Sequence, residues 1–211
     1  MDLIDVRGTL ILGSAFLVLF AVAELLYHKF KVKAELTRKF VHIVTGLLTL
    51  LFPLMLNNHW LVLLLCSAFA VILIISLRFN LLQSINAIDR ESVGSIAYPV
   101  SVFACYLAFE YNGKDYNYYY LPILILAICD PVAALTGKRW PLGKFRIAAG
   151  QKTIMGSSMF LLTAFILAMI LKQPVLVALM IAITSTITEA LSTRGWDNIT
   201  IPASVLVVLL I

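Results

Sequence analysis

The chain has 211 residues, of which 62% are hydrophobic and only 13% charged, with a formal net charge of +5. A soluble domain carries about a quarter charged residues and cannot hide so much apolar surface, so these proportions exclude an ordinary water-soluble fold. The basic residues border apolar runs, which assigns them to membrane orientation and phosphate contact, and no nucleic-acid partner is expected.

In chain order, apolar runs fall at about 9–27, 41–56, 60–77, 96–109, 118–137, 154–171, 174–191 and 199–211. Runs of this kind, separated by short polar loops, are the signature of helices crossing a hydrocarbon core ~30 Å thick. Open strands are excluded there because every backbone polar group must be paired within its own segment. The expected fold is therefore all-α, a polytopic membrane helix bundle of about seven to eight spans, making a single integral membrane domain over residues 1–211. Cys66, Cys105 and Cys129 all lie inside apolar stretches, a pattern with neither a disulfide framework nor metal-ligand spacing. Asp2 and Asp5 stand where a signal peptide would be basic, so no removable leader is expected.

Lys and Arg sort by loop. Loops 28–40 and 138–152 carry five each, and Arg78, Arg90 and Arg194 bring that side to thirteen, against Arg7, Lys114 and Lys172 on the other. The positive-inside rule puts the rich side in the cytosol, which is the cytosolic face of the cell membrane if the chain is prokaryotic.

Four polar clusters fall on that side. In the first, Arg38, His42 and Gly46 are spaced i, i+4, i+8 and share one helix face entering the membrane, with Lys39 beside them. Arg and His on one stripe suit a phosphate oxygen; the alternative is that Arg38 and Lys39 only anchor the helix among headgroups. In the second, Asp89, Arg90, Glu91, Ser92 and Gly94 precede a span. Asp89 or Glu91 there would hold Mg²⁺ or take a proton, unless the segment is a helix cap with acids in its first turn.

The third cluster runs from Cys129-Asp130 through Ala133, Gly137, Lys138 and Gly143 to Lys152-Thr153, Gly156 and Ser157. Asp130 lies inside an apolar run, where a carboxylate is costly and by default functional. Asp130, Ala133, Ala134 and Gly137 form a small-residue face. The basic, glycine-broken loop that follows and the start of the next helix read as a nucleotide-phosphate site; no Walker P-loop spacing is present. Asp130 and Lys152 are expected to serve the chemistry rather than the fold. In the fourth cluster, Ser185, Glu189 and Ser192 share a face, and Asp197 with Asn198 offers oxygen ligands of the kind Mg²⁺ accepts. Alternatively, Asn198 caps a helix and Glu189 pairs with Arg194.

These motifs resemble the family of dolichol kinase, phytol (polyprenol) kinase and CTP-dependent diacylglycerol kinase. Asp130, Ala133 and Gly137, then Gly143, then Lys152, Thr153, Gly156 and Ser157, match its D-x-x-A-x-x-x-G, second glycine and K-T-x-E-G-S hallmark. Arg38, Lys39 and His42 match R-K-x-x-H, and Gly195, Asp197, Asn198, Thr200 and Pro202 match G-x-D-N-x-T-x-P. The likeness covers about residues 35–203. Cys129 replaces a Gly, Met155 replaces the motif's Glu, and Trp140-Pro141 lengthens the spacing to Gly143. The resemblance implies transfer of a γ-phosphoryl group, typically from CTP or otherwise another nucleoside triphosphate, to the hydroxyl of a long-chain alcohol entering from the bilayer. Such transfer needs positioning and charge neutralisation more than covalent chemistry. Lys152, Arg38 and Lys39 would neutralise phosphates, with Gly137, Lys138, Gly143, Thr153, Gly156 and Ser157 completing the nucleotide site. Asp130, Asp197 and Asn198 would hold Mg²⁺, and Asp89 or His42 would take the alcohol proton. A phosphatidate cytidylyltransferase-like enzyme and a small ion-coupled carrier are the competing expectations. Against the carrier, the polar residues crowd one interface and no internal repeat is visible.

Overall fold

A computed structural model describes residues 3–87, 93–147 and 150–211. Asp89 and Glu91 lie outside the described residues. The chain divides into two compact units, Met1–Glu91 and Ser92–Ile211. Each is described by itself.

The first unit holds α1 (Leu3–His28), α2 (Ala34–Thr49), α3 (Phe52–Met55), α4 (His59–Arg78) and α5 (Gln83–Asn86). On α1, Leu12, Phe16, Leu19, Phe20 and Ala23 are buried and recur at helical spacing. Phe16 meets Phe52 edge-on at 6.1 Å between centroids and Phe69 at 4.6 Å, in the geometry aromatic rings prefer. Polar side chains tie the ends. Buried Asp5 accepts from the Asn57 backbone N–H (3.1 Å) and Nδ2 (3.4 Å), and the Asn58 side chain caps α4 through the Trp60 N–H at 2.8 Å. At the far end Glu24 accepts the Ser84 N–H at 2.8 Å, and the Thr37 hydroxyl donates to the Ser84 carbonyl at 2.5 Å. These two bonds lash the single turn of α5 to α1 and α2.

The second unit holds α6 (Gly94–Tyr111), α7 (Asn117–Leu124), a π-helical turn (Ile125–Cys129), α8 (Asp130–Arg139), the hairpin β1 (Lys144–Ile147) and β2 (Gly150–Thr153), then α9 (Ile154–Ile170), α10 (Val175–Leu191) and α11 (Asp197–Leu210). The stretch 117–139 is one continuous helical rod at the centre. In its most apolar window 56% of residues are buried, against 22–28% for the three spans of the first unit. Against it pack Phe160, Ala164 and Ala168 of α9 and Ile201 and Val205 of α11, and α10, with Ala178, Ile181 and Ala182, packs in turn on α9 and α11; all these residues are buried. The alanines let helices approach closely where lipid supplies no hydrophobic drive for association. Hydroxyls join α10 to α11, Thr188 to Ser204 at 3.3 Å and Ser192 to Thr200 at 2.6 Å.

The expected all-α membrane fold is what the chain adopts. Among the described residues four helical stretches, Asp5–His28, Ala34–Met55, His59–Arg78 and Asn117–Arg139, are long and apolar enough to cross a membrane. Three shorter apolar helices, Ile154–Ile170, Val175–Leu191 and Asp197–Leu210, have 17, 17 and 14 residues. At 1.5 Å per residue these reach roughly 21–26 Å, less than a full core thickness. Apolar side chains such as Leu10, Leu64, Ile170 and Leu176 face outward, more than half exposed, as a lipid-facing surface requires. One expectation is corrected: residues 144–147 and 150–153 are not loop but paired antiparallel strands, with Lys144 opposite Thr153, Phe145 opposite Lys152 and Ile147 opposite Gly150. The helix rule applies to segments that span the hydrocarbon, and strands of four residues are too short to span it.

Candidate functional site

The second unit gathers most of the third and fourth sequence clusters at one end. Asp130 opens α8 directly after the π-helical turn, and Pro131 follows it at the second helical position. Proline lacks an N–H, so the regular bonding ladder is interrupted here; single π turns inside helices mark functional positions often. The turn leaves Asp130 half-buried and within electrostatic reach of the buried Tyr98 of α6. Sequence reasoning passed over Tyr98, whose position before Pro99 gave no chemical signal.

α8 crosses α9 where glycine is a necessity. A methyl group on Gly137 would stand 2.5 Å from Thr153 Oγ1 and 3.4 Å from Gly156 Cα. One on Gly156 would stand 2.8 Å from the Ala133 carbonyl oxygen. Ala133, Gly137, Thr153 and Gly156 are thus the contact point of two helices. The sequence reading offered both glycines to a nucleotide; in the fold each presents its open face to the other helix.

The start of α9 is also already occupied. Thr153 is its N-cap, accepting the Gly156 N–H at 3.0 Å. The Ile154 N–H donates to the Gly143 carbonyl at 3.0 Å and the Met155 N–H to the Leu142 carbonyl at 3.4 Å. Gly143 turns the chain for this at φ 62°, a left-handed conformation that favours glycine. Three N–H groups that a bare helix start would offer to an anion therefore have protein acceptors. An anion at this helix start would have to be met by side chains.

Lys152 is the cation nearest this helix start in sequence. It stands on β2, donates to the Glu189 carbonyl oxygen at 3.0 Å and forms an ion pair with Glu189 Oε1. Glu189 lies in the last turn of α10, where a cation also meets the negative end of the helix dipole. This corrects two expectations. Glu189 pairs with Lys152, not Arg194, and Lys152 does support the fold, because it fastens the hairpin to α10. The hairpin's other end touches the α10–α11 connection: a methyl group on Gly150 would come within 3.0 Å of Thr193 Cγ2.

Asp197 opens α11 and accepts the Asn198 N–H at 3.1 Å. Asn198 is buried; its Nδ2 donates to the Gly195 carbonyl (3.2 Å) and its carbonyl accepts from Ser101 of α6 (2.5 Å). Ser101 is a second residue that sequence reasoning missed. Asp130 and Asp197 both act electrostatically on Glu189. Asp130, Lys152, Glu189 and Asp197 therefore share one locality, supplied by α8, β2, α10 and α11. Lys138 is exposed at the end of α8, and Ser157 sits on α9 with its Oγ buried.

Among the described residues no three His, Cys, Asp or Glu side chains converge closely enough to hold a metal ion by themselves. Mg²⁺ in nucleotide sites takes one or two protein carboxylates and completes its shell with phosphate oxygens and water. The carboxylates of Asp130, Glu189 and Asp197, with a buried orphan oxygen on Glu189, fit that mode of binding. Arg38, Lys39 and His42 lie on α2 of the first unit, all half-buried.

A helical membrane protein with carboxylates and a lysine at one end of its helices is the class this geometry defines. The chain is 29% identical over 188 residues to the phytol kinase of Synechocystis sp., covering 85% of this chain and 80% of that protein. This likeness supports a family relationship with the phytol and polyprenol kinases. No protein-family model matches the chain. No solved structure matches it.

Proposed function

We propose that the chain, as one integral membrane domain of residues 1–211, is a lipid alcohol kinase that transfers the γ-phosphoryl group of a nucleoside triphosphate, CTP first among donors, to phytol, another prenol or a comparable long-chain alcohol. The observation that carries this reading is the gathering of Lys152 with Asp130, Glu189 and Asp197 in one locality. The relative's activity as a phytol kinase agrees with it.

In the transfer, the alcohol oxygen forms a bond to the γ-phosphorus as the bond to the β–γ bridging oxygen breaks, leaving a lipid monophosphate and a nucleoside diphosphate. Lys152 offers its charge to phosphate oxygens, and Arg38 and Lys39 join it in the proposal on their match to the R-K-x-x-H motif. Asp130 and Asp197 would hold Mg²⁺, with Asn198 beside them. When bound, the ion screens the phosphate charge and steadies the leaving group. The alcohol proton passes to a base, for which the sequence nominates His42 or Asp89. The excess of Lys and Arg on one set of loops supports a cytosolic face for this chemistry.

Purified protein in nanodiscs with Mg²⁺, labelled CTP or ATP and a panel of phytol, farnesol, dolichol and diacylglycerol tests the reading. A labelled lipid monophosphate with release of nucleoside diphosphate is expected. With phosphatidate as an added acceptor, formation of a CDP-lipid with release of pyrophosphate would make the protein a cytidylyltransferase instead, and no product with any acceptor would overturn the kinase reading.

A further inference from the structure

Glu189 carries more of the site than its pairing with Lys152 accounts for. Its side chain is only 5% exposed, yet Oε2 has no hydrogen-bond partner among the described residues. A carboxylate oxygen can only accept, and a buried acceptor left without a donor or cation is costly. The groups that act electrostatically on Glu189, among the described residues, are Lys152, Asp130 and Asp197. A nucleoside triphosphate is itself strongly anionic, so carboxylates repel the bare nucleotide, and a divalent cation held between the two attracts both.

We propose that Glu189 is a ligand shared by two cations: Oε1 holds Lys152 in position, and Oε2 receives the divalent ion that enters with the nucleotide. The inference rests on the nucleotide-dependent reading above and adds a residue and a task to it. One side chain then sets the spacing between the two positive groups that face the phosphates. Lys152 retains one donor beyond those directed to Glu189, because an ammonium has three and the carboxylate and carbonyl oxygens of Glu189 take two. The hard carboxylate oxygen of Oε2 is the kind of donor Mg²⁺ or Mn²⁺ takes alongside phosphate.

The test uses the full chain in detergent, with Mn²⁺ as the probe and free Mn²⁺ read by electron paramagnetic resonance, with and without a non-hydrolysable CTP analogue. Glu189→Gln keeps the shape and an acceptor oxygen for Lys152 while removing the charge. Its Mn²⁺ affinity in the presence of the analogue is expected to fall roughly tenfold or more, the scale for disturbing a metal's supporting ligands. Unchanged affinity would overturn the proposal and leave Oε2 to solvent alone. Lys152→Met is the second variant and decides the matter if Glu189→Gln does not fold. With the ammonium gone, Mn²⁺ without nucleotide is expected to bind at least as tightly as in the parent, and loss of that binding would overturn the proposal. A parent that binds no Mn²⁺–analogue complex overturns both this inference and the kinase reading. A parent that binds it in a Glu189-dependent way, but phosphorylates no lipid, upholds the cation site and overturns the kinase reading alone.

Discussion

Gly156→Ala sets two known effects against each other at the α8–α9 crossing. Replacing glycine by alanine within a helix ordinarily stabilises by roughly 0.5–1 kcal/mol, because alanine loses less backbone freedom on folding. Here the new methyl would stand 2.8 Å from the Ala133 carbonyl oxygen, 3.0 Å from Thr153 Oγ1 and 3.5 Å from Gly137 Cα. Carbon atoms in comfortable contact settle about 3.5–4.0 Å apart. The nearest neighbour is main chain within a helix and cannot rotate aside, so the helices must separate by several tenths of an ångström. Overpacking of this kind costs about 1–3 kcal/mol. The steric cost wins, leaving a net loss on the order of 1–2 kcal/mol. Gly13→Ala is the matched control, since its methyl would meet only Leu65 Cδ2 at 3.8 Å, an ordinary contact. It should be neutral or stabilising by up to about 1 kcal/mol.

Apparent melting temperature in detergent, followed by intrinsic fluorescence, measures both variants. A net loss of 1–2 kcal/mol corresponds to a fall of about 2–8 °C for a chain of this size, while Gly13→Ala should hold or rise. Turnover of Gly156→Ala should fall as well, because the crossing sets α8, which bears Asp130, against the start of α9. If Gly156→Ala melted at or above the parent, close helix contact would not be why glycine stands there, and its place in a ligand site would be the better account.

Asp130→Asn should lower Mg²⁺-dependent turnover by roughly 10²-fold or more, the scale for losing one preorganised electrostatic group, with little change in melting temperature; near-normal turnover would remove Asp130 from the reaction. Lys152→Met should lose nucleotide use and also destabilise, by about 3 kcal/mol at the low end of the range for a broken buried pair, since the lysine is 21% exposed. Lys152→Met combined with Glu189→Met should recover most of that stability without activity, and failure to recover it would show that the ion pair is not what Lys152 contributes to the fold. Single cysteines replacing Lys33 and Arg146, both exposed, should label from the cytosolic side in a cysteine-free background, and one replacing Lys114 only from outside. Labelling of positions 33 and 146 from opposite sides would end the charge-based topology.

The helices were legible because a membrane segment must satisfy its own backbone and be apolar over most of its length. All eight apolar runs correspond to helical stretches, and most differ only by the polar turns at their ends. The run at 41–56, for example, belongs to α2 and α3, whose first turns hold Glu35, Arg38 and Lys39. The hairpin was not legible. Lys-Phe-Arg-Ile and Gly-Gln-Lys-Thr are short, basic and interrupted by glycine, so their composition signals a loop; the pairing depends on anchorage to α9 and α10. Glu24 was missed for a different reason. It sits near the end of the apolar run at 9–27 and was absorbed into that span, although its carboxylate holds both the Ser84 N–H and His28.

Residues within a single motif turn out to divide by physical task, and the division bears on how departures from it should be weighed. In the stretch from Asp130 to Ser157, Ala133, Gly137, Thr153 and Gly156 make a helix crossing, and Gly143 makes the turn that closes the start of α9. Charge enters at Asp130 and Lys152, and it is completed 37 residues further on by Glu189, whose partner no local spacing announces. Met155, where the family's motif has Glu, belongs to α9, and its backbone is already used by the Leu142 carbonyl. The carboxylates gathered with Lys152 come from α8, α10 and α11. Methionine at 155 therefore leaves that set intact, and with it the acidic oxygens on which the proposed metal-nucleotide site rests.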